Sequence, residues 1–275
     1  EDLGEITWFW RNTRDNPWRD DTPITDAELD KRLRAIREEV GDVSAIPEAE
    51  GPERFVLIGT GEEGAEPRRN IISGEMEFLL ASVSGDPIRV TIQPRQWPHE
   101  RPPCHYELKT RDGERIASGD LPVGEHDLEL AVPAPGVYRF ACSFRGSGYE
   151  IRFPANQPNA FLIDRTQRYH SSQMPAFYFY VPKGQERILL YNYRGNSIPV
   201  RNPEGDVAGT VPPDGRVVSV EVPPGRDGKV WSLSNARVNG RFCFLNLPSV
   251  LTTSPDRVFV PKEIAEEDGL KVLAQ

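Results

Sequence analysis

Residues 105–144 read HYELKTRDGERIASGDLPVGEHDLELAVPAPGVYRFACSF, and this stretch decides the fold class. Leu128 and Leu130 flank Glu129 with the two-residue period of a strand that buries one face. Asp112-Gly113 stands between two such runs, where a tight hairpin needs residues that tolerate a positive φ, and Pro135-Gly136 separates the next pair. Upstream, EMEFLLASV (75–83) and PIRVTIQP (87–94) belong to the same series, with Arg89 and Thr91 alternating against Val90 and Ile92. YEIRF (149–153) follows it. The pattern predicts a β-sandwich over residues 54–165.

The same order recurs in the last third of the chain. FYFYVPKGQERILLYNY (177–193) is followed by IPVRNPEGDVAGT (198–210), then by a strand pair carrying VPPGRDGKVWSL (222–233), then by RFCFLNLP (241–248). Glu204-Gly205-Asp206 takes the place of Asp112-Gly113-Glu114. Gly113 to Gly205, Pro133 to Pro223 and Val137 to Val230 give offsets of 92, 90 and 93 residues. A near-constant offset with matching turn chemistry predicts a second sandwich over 166–265, followed by a tail at 266–275. The fold expected is therefore all-β: two similar tandem β-sandwich domains preceded by a short aromatic strap and an amphipathic helix.

Strap, helix and linker occupy residues 1–53. ITWFWRNTRDNPWRDDTP (6–23) carries Trp8, Trp10 and Trp18, of which the first two share one face of an extended segment until Asn16-Pro17 breaks it. These rings could stack on sugars or anchor the strap on a larger domain. A helix is expected over residues 26–40: Thr25 caps it, Glu28 completes a capping box, Ile24 and Leu29 form a hydrophobic staple, and Gly41 stops it. Leu29, Leu33, Ile36 and Val40 then line one face. Gly59, Gly61 and Gly64 match G-x-G-x-x-G, but Glu62 and Glu63 put negative charge where a phosphate would lie and Pro67 interrupts the helix that must follow. A glycine-rich loop is expected there, not a nucleotide site.

Composition narrows the function. The chain has 275 residues, and its 23 Gly and 26 Pro exceed the roughly 12 per cent average, as turn-rich β-proteins require. A net charge of -9 opposes a general nucleic-acid surface. No run approaches the ~18 apolar residues of a membrane-spanning helix. Glu1 is preceded by no methionine or apolar leader, which suggests processing or excision from something longer; localisation stays open, an extracellular or cell-envelope setting included. Cys104, Cys142 and Cys243 form no C-x-x-C pair, and the four histidines are scattered, so no metal site and no cofactor is expected. Buried thiols, one disulfide and a reactive cysteine are the alternatives for the three sulfurs.

One stretch carries a resemblance. Val230, Trp231, Ser232, Leu233, Leu247, Pro248, Val260, Pro261, Lys262 and Glu263 resemble the terminal β-sandwich of multidomain microbial proteins associated with carbohydrate processing. The resemblance covers residues 175–265. It implies an accessory domain often connected to a glycoside hydrolase catalytic domain, and it carries over no catalytic residue.

Carboxylates offer no convergent pair. Glu62 with Glu63, Glu75 with Glu77, and Glu266 with Glu267 read as solvent-facing charges, Asp86, Asp112 and Asp227 as turn residues, and Glu129 as the polar side of a strand. Ser73, Ser143 and Ser232 lie in no nucleophile elbow, and His170 identifies no partner. Binding candidates are aromatic: besides the three tryptophans, Tyr178 and Tyr180 share one face of their strand and Tyr191 and Tyr193 form a second alternating pair, available for a glycan or for interior packing. The function expected is a non-catalytic accessory region that supports or orients a carbohydrate-active enzyme, its partner an adjacent catalytic domain or protein. A direct glycan-binding module that takes a polysaccharide, or an autonomous carbohydrate hydrolase or lyase, are the alternatives.

Overall fold

The computed structural model describes residues 31, 54–61, 70–94, 103–163, 169–171, 176–234 and 238–275. Trp8, Trp10 and Trp18, the linker and all of the expected amino-terminal helix except Lys31, which is helical, lie outside the described residues.

Strands dominate the rest. β1 (Phe55–Gly59) precedes β2 (Asn70–Ser82), β3 (Ile88–Pro94), β4 (Cys104–Thr110), β5 (Arg115–Leu121), β6 (His126–Leu130), β7 (Gly136–Arg152) and β8 (Asn159–Leu162). After β9 (Tyr169–Ser171) come β10 (Ala176–Val181), β11 (Arg187–Gly195), β12 (Ile198–Arg201), β13 (Val207–Val211), β14 (Asp214–Glu221), β15 (Lys229–Ser234), β16 (Val238–Phe244) and β17 (Val250–Thr252). β18 (Arg257–Pro261), helix α1 (Lys262–Glu267) and β19 (Val272–Ala274) follow. The architecture is all-β, with several antiparallel sheets packed together.

Pairing follows one plan twice. β7 lies between β2 and β4, with β8 outside β2 and β5 outside β4. Correspondingly, β15 lies between β10 and β12, with β17 outside β10 and β13 outside β12. In a second row, β3 pairs with β6 and the end of β7, as β11 pairs with β14 and β16. The matched hairpins agree to the hydrogen bond. Gly113 N–H donates to Thr110 O at 3.1 Å and Gly205 N–H to Asn202 O at 2.9 Å, with φ of +92° and +89° at the two glycines. At one further pair of equivalent places only glycine fits: Gly119 faces Tyr106 and Gly209 faces Val200, and an added Cβ would come within 2.9 Å of the Tyr106 ring or 2.8 Å of Val220 Cγ2.

Strand register corrects one of the three offsets. Phe78 faces Phe140, and Phe179 faces Trp231, so Trp231 is the counterpart of Phe140 at an offset of 91. Val137 therefore does not match Val230; the longer VPPGRDG turn displaces the apparent alignment by two residues.

The two repeats join edge to edge. β8 pairs with β17 through Leu162↔Val250, Phe161↔Leu251 and Ala160↔Thr252, the register of an approximate two-fold rotation centred on Phe161 and Leu251. β9 bridges β2 to β16. One apolar core runs through both repeats, with Phe78, Val90, Phe140, Phe179, Leu190 and Trp231 among its members. Aromatic contacts tie it together, including Phe161 to Phe177 at 5.2 Å and Phe179 to Phe244 at 4.7 Å between ring centres.

The sheet containing β2 and β10 is buried on its other face as well, as the unbroken run FLLA (78–81) in β2 requires. Phe55, Leu57, Phe259 and Ala274 cover Leu79, Ala81, Val137, Ala160 and Val250. They belong to a three-stranded sheet in which β1 is central, antiparallel to β18 and β19. Residues 266–275, expected as a tail, instead complete α1 and supply β19. Gly59 ends β1 and Gly61 adopts a φ of +79°, while residues 62–69 lie outside the described residues. β1 leads to strand β2 with antiparallel neighbours on both sides, an arrangement that lacks the parallel strands of a dinucleotide fold.

Candidate functional site

Tyr178 and Tyr180 point away from the main core because β10 alternates, and the side they reach is covered. Tyr180 packs with Val56, Ile58, Val230, Ile264 and Ala265, and is 6 % exposed. Its hydroxyl donates to Asp268 Oδ2 at 2.8 Å, the same oxygen accepts the Lys183 N–H at 3.0 Å, and Lys183 Nζ donates to Asp268 O at 2.6 Å. Burial, and then the Asp268 carboxylate, push the Tyr180 hydroxyl well above the usual tyrosine range. This junction pins the residue after α1 to the loop after β10. Tyr178 is half-buried beside it, and its carbonyl accepts Thr252 Oγ1 at 2.9 Å.

Tyr191 is 2 % exposed and belongs to the main core. Tyr193 pairs through its backbone with Asp214 and Arg241, and its side chain lies outside the described residues. Tyr178 and Tyr180 share a face as the alternation predicts, and the burial of Tyr180 and Tyr191 leaves neither ring face open to a sugar.

Several acidic residues are partnered at the surface, whereas Glu150, 3.7 Å from Arg152, and Asp268 are buried. Glu77 meets Arg139, Glu129 lies 3.4 Å from Arg89, and Glu266 lies 3.7 Å from Lys262. Glu107 contacts Lys109 and Arg115, and the Lys109 ammonium, with Arg115, holds it below the ordinary glutamate range. Asp227 is lowered by the Gly184 N–H, which donates to it at 2.8 Å. His105 Nδ1 and Asp120 Oδ1 are 2.8 Å apart in the open, and His126 Nε2 lies 2.8 Å from Pro122 O. Among the described residues no group of three or more His, Cys, Asp or Glu is placed to hold a metal ion.

A cleft of about 460 Å³ opens between the β2–β3 turn, the β7–β8 turn and the start of β18. Arg89, Arg257, Ser84, Asp86 and Asn156 give it a polar wall. Most of these groups are already bonded: Ser84 Oγ donates to Asp86 Oδ2 at 2.9 Å, Arg257 donates to Asp256 Oδ2 at 2.9 Å and to Asn156 O at 3.2 Å, and Arg89 pairs with Glu129. Burial alone would raise Asp256, but the Ser254 hydroxyl and the Arg257 guanidinium hold it below the usual carboxylate range. Among the described residues Asp86 is the one carboxylate lining the cleft, whereas glycoside hydrolysis uses two that flank the bond. Its side chains can hydrogen-bond a polar ligand.

Two buried amides escaped the reading of the sequence. Asn246 Oδ1 accepts the Leu189 N–H at 2.8 Å while its Nδ2 donates to Arg187 O at 2.8 Å. Gln157 does the same in the first repeat, accepting the Arg89 N–H at 3.3 Å and donating to Ala81 O at 2.9 Å. Gln157 thereby ties the end of β2 to the start of β3, and Asn246 braces the first residues of β11. An amide shortly before a proline and an apolar strand, QPNAFL (157–162) and NLPSVL (246–251), is the signal that could have found them. No family model matches the chain, and no curated protein matches it.

Proposed function

We propose that this chain is a non-catalytic accessory region, two tandem β-sandwiches whose role is to support and orient a carbohydrate-active enzyme. The observation that carries the reading is the clamping of β1. Phe55, Val56, Leu57 and Ile58 are at most 1 % exposed, and the strand is paired on both edges and covered on both faces. Burial of each such side chain stabilises by roughly 1.5–3 kcal/mol. A catalytic partner joined ahead of β1, through the aromatic strap and helix, would be anchored on a body whose sheets continue through both repeats.

The surface pairing of Glu77, Glu107, Glu129 and Glu266, and a cleft with one carboxylate among the described residues, support a supporting role over hydrolysis. Burial of Tyr180 and Tyr191 weighs against glycan binding through those rings. The test joins the chain to its catalytic partner and follows thermal unfolding of that partner with Leu57 intact or replaced by Ala. Loss of the partner's added stability in Leu57→Ala supports the reading; a partner that unfolds identically with, without and beside the altered chain contradicts it.

A further inference from the structure

We propose that Cys104 and Cys142 are the two halves of a cross-strand disulfide, a modification site that closes as the chain folds in the presence of a small-molecule disulfide. Their sulfurs lie 3.1 Å apart. The two residues are 0 % and 1 % exposed and project into the same core from paired strands, β4 and β7. Tyr106 faces Cys142, so Cys104 is its diagonal neighbour two residues along. Closing to a bond requires the sulfurs to approach by about 1 Å.

The second repeat supplies an internal comparison. Val200 faces Leu233 as Tyr106 faces Cys142, which makes Ile198 and Leu233 the counterparts of Cys104 and Cys142. Both are 0 % exposed. Aliphatic side chains therefore satisfy the packing at this place in the fold, and the sulfurs of the first repeat add a capacity that packing does not require. Cys243 lies on a different strand, β16, opposite Tyr191.

The chemistry balances as thiol–disulfide exchange. One cysteine thiolate attacks the small disulfide and expels a thiolate. The second cysteine thiolate attacks the mixed bond and expels the other. Two protein thiols give up two electrons to the oxidant, and the two thiolates it leaves as take up the two protons the protein thiols released. In the closed fold the neighbouring Cys104 thiol, followed by burial, holds the Cys142 thiol well above its ordinary range. Exchange accordingly takes place while β4 is detached from β7, and the finished bond is shielded from reductant.

The full 275-residue chain is refolded from denaturant in a glutathione redox buffer, alkylated in denaturant and mapped by mass spectrometry. The expected result is a Cys104–Cys142 linked peptide, with Cys243 alone alkylated. Its thermal midpoint should exceed that of protein refolded with dithiothreitol by roughly 5–15 °C. Alkylation of all three cysteines in the refolded native chain, or a linkage that includes Cys243, overturns the proposal. The double variant Cys104→Ile, Cys142→Leu, which copies the second repeat, should fold and lose the redox dependence of the midpoint. A midpoint that still responds to dithiothreitol in that variant also overturns it.

Discussion

Replacing Asn246 by Leu tests whether the buried amide braces hold the strand ends they bond. The side chain is 1 % exposed, and both of its hydrogen bonds are 2.8 Å long. Leu189, whose N–H it accepts, is 1 % exposed, so that donor loses its partner where water cannot replace it, at about 1–3 kcal/mol. Arg187 is only half-buried, and its carbonyl loses a bond with a net contribution of about 0.5–1.5 kcal/mol. The sum, reduced by the apolar burial that leucine gains, is about 1–4 kcal/mol. Equilibrium urea unfolding followed by tryptophan fluorescence measures it, with the buried Trp231 as a reporter. In the first repeat Gln157→Leu should cost less, about 1–2 kcal/mol, because its bond to the Arg89 N–H is 3.3 Å and Arg89 is exposed. A loss below about 0.5 kcal/mol for Asn246→Leu, or a larger loss for Gln157→Leu, would refute the reasoning.

Gly209→Ala should destabilise by about 1–3 kcal/mol in the same assay, because the new methyl meets Val220 Cγ2 at 2.8 Å and a buried β-branched side chain cannot swing aside; an unchanged midpoint would count against that packing. Phe55→Ala should cost about 3–5 kcal/mol, and calorimetry showing less than 1 kcal/mol would remove the clamp on β1. For alkaline pH, Tyr149 and Tyr180 are both raised above the unfolded tyrosine value of about 10, Tyr149 first by burial. Their contribution is complete below that pH and declines as pH rises above it, because the unfolded chain releases the proton first. Tyr180→Phe should therefore flatten the decline above about pH 10 in a pH series of unfolding free energies, and an unaltered slope would show that Tyr180 ionises freely.

Much of the strand order was legible because half-buried strands alternate and hairpins demand glycine at fixed places. Asp112-Gly113 and Glu204-Gly205 mark equivalent turns in the sequence and make matching backbone bonds in the structure. The third sheet was not legible: β1 pairs with β18 across some two hundred residues, and no local periodicity records a partner so distant. The same distance hid the Tyr180–Asp268 junction, since an exposed tyrosine and one capped by a later segment have the same alternation. The match of Val137 to Val230 failed because similar turn residues occur in loops of different length, whereas register is set by the facing strand.

Turnover by the chain itself bears most directly on the accessory reading. The purified 275 residues, verified as folded by circular dichroism, are incubated with a panel of aryl glycosides and polysaccharides and assayed for released sugar. The account predicts no release above buffer, together with a higher unfolding midpoint for a catalytic partner that carries the chain. Specific release that disappears on replacing a single carboxylate, such as Asp86→Asn, while the fold persists, would contradict it.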